Sequence, residues 1–419
     1  MKTEKPGRID LQVPAASPER FRLNPSARVW VAGLEVALPT KAEAPGNSLR
    51  CIAPKPAQKA ATAIAQSILD DAPFCVTDAI FAEEHEASGW FHSCTSGSTG
   101  VPKRIRRSQK SWIASFSQTK ERWRVTDADR TAILGDLSHS LSLYALIEAL
   151  HLGTQVELLA GTRPDRQAEF LARATLLYAT PSQMRALLPH LRDLPAMRFV
   201  AIGGGRLDDE LRRALATLAP QAKLEEFYGA AETSFVSLAD ADAPKGSVGR
   251  AFPGAEIRIR DGLGNDLGSS AEGVVWVKSP YLAEQVIGQT VSITTDGWAT
   301  AGELGWLDAA GYLYLTGRRD RMFTVSDRNL NPEKIESFIL QQPGVEQVAI
   351  LSQVDPRRGF VPVGFFIGPA EPEHLVASCR REFGATFAPR SLFRLEQWPM
   401  VSGGKTDLQA LARMVKDRT

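Results

Sequence analysis

From Thr131 to Leu218 the chain keeps one rhythm, and that rhythm is the strongest constraint on its fold. Short apolar runs (TAILG, TQVELLA, TLLYA, RFVAIGGG) alternate with longer stretches of helical spacing (LSLYALIEALHLG, QAEFLARA, PSQMRALLPHL, DDELRRALATL). Strands that return beside one another through helices make a mostly parallel sheet with helices on its faces. After Gly246 the texture changes to β-like runs broken by Gly and Asp (AEIRIRD, GVVWVKS, GYLYLTG), and near Asp320 a smaller α+β unit begins. The expected class is α/β: a large N-terminal domain of mostly parallel sheets covered by helices plus a β-rich subdomain, followed by a small α+β C-terminal domain. Of the first 88 residues, 28–38 read as a strand and 58–69 as a helix, and neither carries visible chemistry.

Ligands of parallel sheets lie beyond the carboxyl ends of the strands. There the chain reads FHSCTSGSTGVPK over residues 91–103. Thr95, Ser96, Ser98 and Thr99 bring four hydroxyls, Gly97 and Gly100 allow the backbone close to a ligand, and Lys103 adds an ammonium. Consecutive N–H groups in such a loop make an anion-binding concavity. The stretch therefore reads as a phosphate cradle. It is not a Walker A loop, whose lysine directly follows the second glycine. A second imitation, Gly404-Lys405-Thr406, has Pro399 where the opening glycine belongs. Gly203, Gly204 and Gly205 end an apolar run, but Asp208 stands where GxGxxG needs its last glycine. The basic run Arg104, Arg106, Arg107 and Lys110 reads as a solvated helix start with no catalytic role.

Composition sets bounds. The sequence is 43% apolar with a formal net charge of +1, which gives no whole-molecule argument for nucleic acid or a membrane surface. Its four cysteines form no CxxC pair, so buried thiols in a reducing compartment are expected. With neither a signal-peptide core nor an apolar run of bilayer length, a cytoplasmic protein without a membrane span is the expectation.

Taken with the motifs that follow it, the cradle resembles the TSGSTGxPKG loop of the superfamily of AMP-forming acyl-CoA synthetases, nonribosomal-peptide adenylation domains and luciferases. The match breaks only at the final glycine, Arg104 here. The resemblance runs from about residue 89 to about residue 411, roughly three quarters of the chain. Superfamily members usually carry a longer region ahead of the cradle, so the chain is expected to be shortened at its front.

The resemblance implies roles for particular residues. His139, ahead of a pocket-lining helix, is a candidate gate or polariser beside the acid and the α-phosphate. Gly203, Gly204 and Gly205 flank adenine and the acid pocket. FYGAAETS resembles YGxTE: Tyr228 would stack on adenine, Gly229, Ala230 and Ala231 complete the nucleotide turn, and Glu232 would hold Mg²⁺. Ala231 replaces the usual threonine. Glu303 takes the place of the ribose-binding aspartate, Arg318 also reaches the nucleotide, and Asp320 is the hinge between an N-terminal adenylation domain, 1–318, and a mobile lid, 319–419. In FTVSDRNLNPEKIES, Asp327 replaces a glycine and Lys334 a glutamate in the loop that serves thioester formation. Lys405 falls on the catalytic lysine, a point charge able to meet the acid carboxylate and the α-phosphate together.

The implied reaction is ATP-dependent, Mg²⁺-assisted activation of a small carboxylic acid to an acyl-adenylate, then transfer to the thiol of CoA or of carrier-protein phosphopantetheine, with an acyl carrier protein as the alternative partner. No acidic residue occupies positions 137–143, where amino-acid-activating domains place an aspartate, which favours an aryl or acyl acid. A stand-alone amino-acid adenylation domain and a non-catalytic nucleotide-binding relative remain the alternatives.

Overall fold

The computed structural model describes residues 19–43, 46–79, 81, 84–95, 103–205, 207–287, 292–400 and 406–417. The alternation from Thr131 onward folds as read. Five strands (Arg28–Val31, Gln155–Leu158, Arg130–Ile133, Leu176–Ala179 and Phe199–Gly203) and the strand Lys223–Ala230 lie parallel in one sheet. Antiparallel strands extend it at both ends: Ser234–Ala239 and Arg250–Ala251 at one, Leu34–Val36 at the other. Residues 28–38 are thus a hairpin rather than one strand. Ala32 and Gly33 take positive φ at its turn, and AG is not a dipeptide that announces one.

A second, five-stranded sheet holds the strands on either side of the candidate cradle. Its order is Gln285–Ile287, Lys103–Ser108, Trp90–Thr95, Phe74–Val76 and Arg50–Ile52. The helix Ser140–Leu152 touches strands of both sheets. Its sequence is apolar all round and nine consecutive residues, Ser142 to Leu150, are buried, as a helix between two sheets requires. The β-like runs after Gly246 form a third sheet, Glu256–Arg260, Gly273–Lys278, Glu303–Leu307 and Leu313–Arg318 among its strands. From Phe323 a smaller unit builds a separate core on the hairpin Gln347–Asp355 and Gly359–Ile367, covered by the helices Pro332–Ile339, Pro372–Phe387 and Leu408–Lys416. It meets the larger body through polar contacts: Lys334 Nζ lies 2.7 Å from Glu272, and Asn331 Nδ2 donates to the Thr316 carbonyl at 2.8 Å. No helix among the described residues is long and apolar enough to cross a membrane.

One charge is buried inside the helix Ser140–Leu152. Glu148 accepts from the Tyr178 hydroxyl at 2.7 Å and from Thr119 Oγ1, and burial pushes its carboxyl up to about 7. The folded chain therefore holds a proton that the unfolded chain releases. The stability this confers is complete below the ordinary carboxylate range and is lost as pH rises towards neutrality. Glu148→Gln keeps an acceptor without the charge. Its stability relative to wild type should rise by on the order of 3 kcal/mol between about pH 5 and pH 8, measured by denaturant unfolding. A pH-independent difference would remove Glu148 from the titration.

Candidate active site

The two strands that flank the candidate cradle are antiparallel, with Thr95 opposite Lys103. Ser96, Gly97, Ser98, Thr99 and Gly100 lie outside the described residues, as does Lys405. Among the described residues the Lys103 ammonium has no ion-pair partner, and its side chain is half-buried. His139 is brought beside the first of these strands. It bridges Cys94, one residue before Thr95, and precedes the first turn of the buried helix, where Ser140 Oγ donates to the Cys94 carbonyl at 3.3 Å.

Gly203 ends its strand under the ring of Phe227: a Cβ there would come within 2.2 Å of Phe227 Cζ. Gly204 takes φ +77° and, like Gly205, is exposed. Next comes the turn that carries Glu232. A bulge between Tyr228 and Gly229 bends the strand so sharply that a Cβ on Gly229 would sit 2.0 Å from the Ser234 carbonyl oxygen. Thr233 Oγ1 accepts from the Ala230 N–H at 3.2 Å and closes the turn. The Glu232 carbonyl accepts from the Ala283 N–H at 2.8 Å.

Glu303 and Arg318 face each other across an antiparallel pair, with Nη1 3.3 Å from Oε1. Glu303 is 8% exposed, and burial pushes its carboxyl up against the pull of Arg318. Tyr228 stands beside them. Burial, then the Glu303 charge, push its hydroxyl well above the phenol range. Burial works against the Arg318 charge, but hydrogen bonding to Asp320 and the carboxylates of Glu303, Asp320 and Glu232 outweigh it and hold its pKa above the ordinary value. The Glu232 charge contributes, as a minor cause, to the shifts of Tyr228, Glu303 and Arg318.

The basic run needs correction. Arg104, Arg106 and Arg107 lie on the strand Lys103–Ser108, and the helix starts only at Gln109. Arg104 Nη2 donates to both Glu84 carboxylate oxygens at 2.6 and 2.8 Å, and Arg106 forks onto Glu86 at 2.6 and 3.0 Å. Only Lys110 is the solvated residue expected, paired with Glu19 at 3.3 Å. Arg107, 1% exposed, reaches the Glu232 turn: Nη2 donates to the Ala231 carbonyl and Nη1 to that of Tyr281 at 2.8 Å. Burial lowers its pKa to about 9, with Glu232 opposing, so it is charged at neutral pH.

Asp320 sits between two allegiances. Arg318 turns back to Glu303, whereas Arg321 forks onto Glu336 at 2.7 and 3.0 Å within the smaller unit. Asp327 has φ +63°, the left-handed conformation that glycine adopts freely and aspartate tolerates.

The profile of the AMP-binding enzyme family matches residues 56–285, more than half of the chain, and that of the AMP-binding enzyme C-terminal domain matches 334–405. The chain belongs to the AMP-binding enzyme family. Among curated relatives, this AMP-binding enzyme is 32% identical to the uncharacterized acyl–CoA ligase YhfT of Bacillus subtilis, over 74% of the present chain and 65% of the relative. It is 26% identical to the 2-succinylbenzoate–CoA ligase of Enterococcus faecalis, over 74% of this chain and 66% of that one. The chain thus spans about two thirds of each. Its fold is that of o-succinylbenzoate CoA synthetase (MenE) from Bacillus subtilis, solved with the acyl-adenylate intermediate OSB-AMP (TM-score 0.75, 20% identity, 88% of both chains). ATP-bound MatB from Rhodopseudomonas palustris shares it (TM-score 0.72, 21% identity, 88% of this chain and 80% of that one).

Proposed function

We propose that this AMP-binding enzyme activates an aryl or acyl carboxylic acid with ATP and passes the acyl group to a thiol. The observation that carries this reading is the Glu232 turn, which Arg107 ties to the strand Lys103–Ser108, beside the facing pair Glu303 and Arg318 on which the Glu232 charge acts. The names of the relatives, CoA ligases, support it.

A carboxylate is a poor acyl donor because oxide would have to leave. In the proposed first step a carboxylate oxygen attacks the α-phosphorus of ATP: a P–O bond forms to the acid, the P–O bond to pyrophosphate breaks, and an acyl-adenylate results. Residues 95–100 and Lys103 hold the phosphates in line, Lys405 meets the charge that builds on the α-phosphate, and His139 borders the acid. Tyr228 lies along adenine and Glu303 with Arg318 takes the ribose. No group of three metal-ligating side chains occurs among the described residues, and Glu232 alone fits Mg²⁺, which takes one or two carboxylates and completes its shell with phosphate oxygens and water. When bound, Mg²⁺ neutralises phosphate charge as pyrophosphate leaves.

In the second step a thiolate attacks the acyl carbon and AMP departs. Residues 319–419 act as a lid that turns about Asp320, withdrawing Lys405 and bringing in the loop around Asp327. The thiol is that of CoA or of a phosphopantetheinylated carrier protein, in a cytoplasmic setting.

The test is exchange of radiolabelled pyrophosphate into ATP across a panel of aromatic, short-chain, long-chain and amino acids. Aryl or acyl acids should drive it in the presence of Mg²⁺ and amino acids should not. No exchange with any acid overturns the proposal.

A further inference from the structure

Arg107 has a part that the reaction scheme leaves unassigned. Its guanidinium is enclosed in protein, yet among the described residues no carboxylate pairs with it directly. Two of its nitrogens go to main-chain carbonyls, those of Ala231 and Tyr281, and Nε has no partner among the described residues. Enclosing a cation on such terms is costly.

The geometry shows what the arrangement achieves. Ala231 immediately precedes Glu232, while Tyr281 lies two residues before Ala283, whose N–H holds the Glu232 carbonyl. One rigid fork thus fixes the strand entering Glu232 to the segment that grips its far side. Lysine, a point charge on a flexible stem, does not reproduce two donors at a set spacing. The same arm begins four residues after Lys103, on the strand that leaves the cradle.

We infer that Arg107 is a positioning residue, one that sets the Glu232 carboxylate for a divalent cation through the main chain rather than by touching the ligand. This rests on the reading of Glu232 given above. It predicts that Arg107 and Glu232 act as a unit.

The experiment is a double-mutant cycle of Arg107→Lys, Arg107→Gln and Glu232→Gln, read in two ways: the Mg²⁺ concentration for half-maximal pyrophosphate exchange, and calorimetric binding of ATP with and without Mg²⁺. Each Arg107 variant should raise the Mg²⁺ requirement about tenfold, as loss of an outer-shell partner does, with KM for the acid within about twofold. In the Glu232→Gln background the same changes should add less than about twofold. An equal tenfold loss in both backgrounds, or a wild-type Mg²⁺ response in the folded single variants, overturns the inference. If neither Arg107 variant folds, judged by thermal melting, Arg107 is structural and the inference falls. Wild-type protein that gives no exchange counts against the proposed function instead, and the cycle is then read on Mg²⁺-dependent ATP binding alone.

Discussion

Glu232→Gln is expected to lower acid-dependent pyrophosphate exchange by about 10²–10³-fold, with little change in stability. The substitution is nearly isosteric. It keeps the turn closed by Thr233 and leaves the Glu232 carbonyl on the Ala283 N–H, because both contacts are made outside the carboxyl group. What it removes is the charge. Glu303 cannot substitute, since its carboxylate already faces Arg318 and Tyr228. Lys405→Ala should give a loss of the same order, because the developing charge on the α-phosphate then lacks its ammonium. Exchange within about tenfold of wild type in Glu232→Gln would show that the metal is held elsewhere, and the assignment would fall.

The largest effect on stability is expected at Arg122. Glu225, 0% exposed, accepts from Arg122 Nη2 at 2.6 Å and Nε at 2.9 Å, and from the Trp123 indole at 3.3 Å. Lys223, half-exposed, adds a contact at 2.9 Å. Arg122→Met leaves this interior carboxylate with the weaker partners only. Breaking a buried pair from one side costs about 3–5 kcal/mol, and the remaining lysine places the expectation at about 3 kcal/mol, measured as a shift in urea midpoint at constant slope. Arg122→Met with Glu225→Gln should recover most of the loss, because no uncompensated charge is then enclosed. A double variant as unstable as the single one would show that the cost is lost packing by the arginine stem. The pair joins the helix Gln109–Trp123 to the strand that runs into the Glu232 turn, so exchange activity should fall together with stability near the unfolding midpoint.

Much of this architecture was legible from local pattern. The parallel strands and their helices have periods set within a few residues, and those elements appear where the periods place them. The cradle reading rests on contiguous chemistry whose loop lies outside the described residues, whereas Glu303 and Arg318, joined by a family motif, do face each other across a strand pair. What pattern did not show is non-local. Arg107 meets carbonyls 124 and 174 residues away, so within its own basic run it looks like a solvated side chain. The hairpin at 28–38 was read as a single strand because the backbone reversal at Ala32 is imposed by pairing with the sheet, where Val31 lies opposite both Leu34 and Leu158. Asp327, which in the sequence shows only as a replacement of glycine, takes a left-handed backbone angle that aspartate tolerates and that no local pattern announces.

The ammonium–carboxylate clasp between Lys334 and Glu272 joins two solvent-exposed side chains, whereas Asn331, which donates to the Thr316 carbonyl, is buried. An exposed ion pair such as Lys334–Glu272 is screened by dissolved electrolyte, so added salt is expected to weaken that tie between the smaller unit and the larger body.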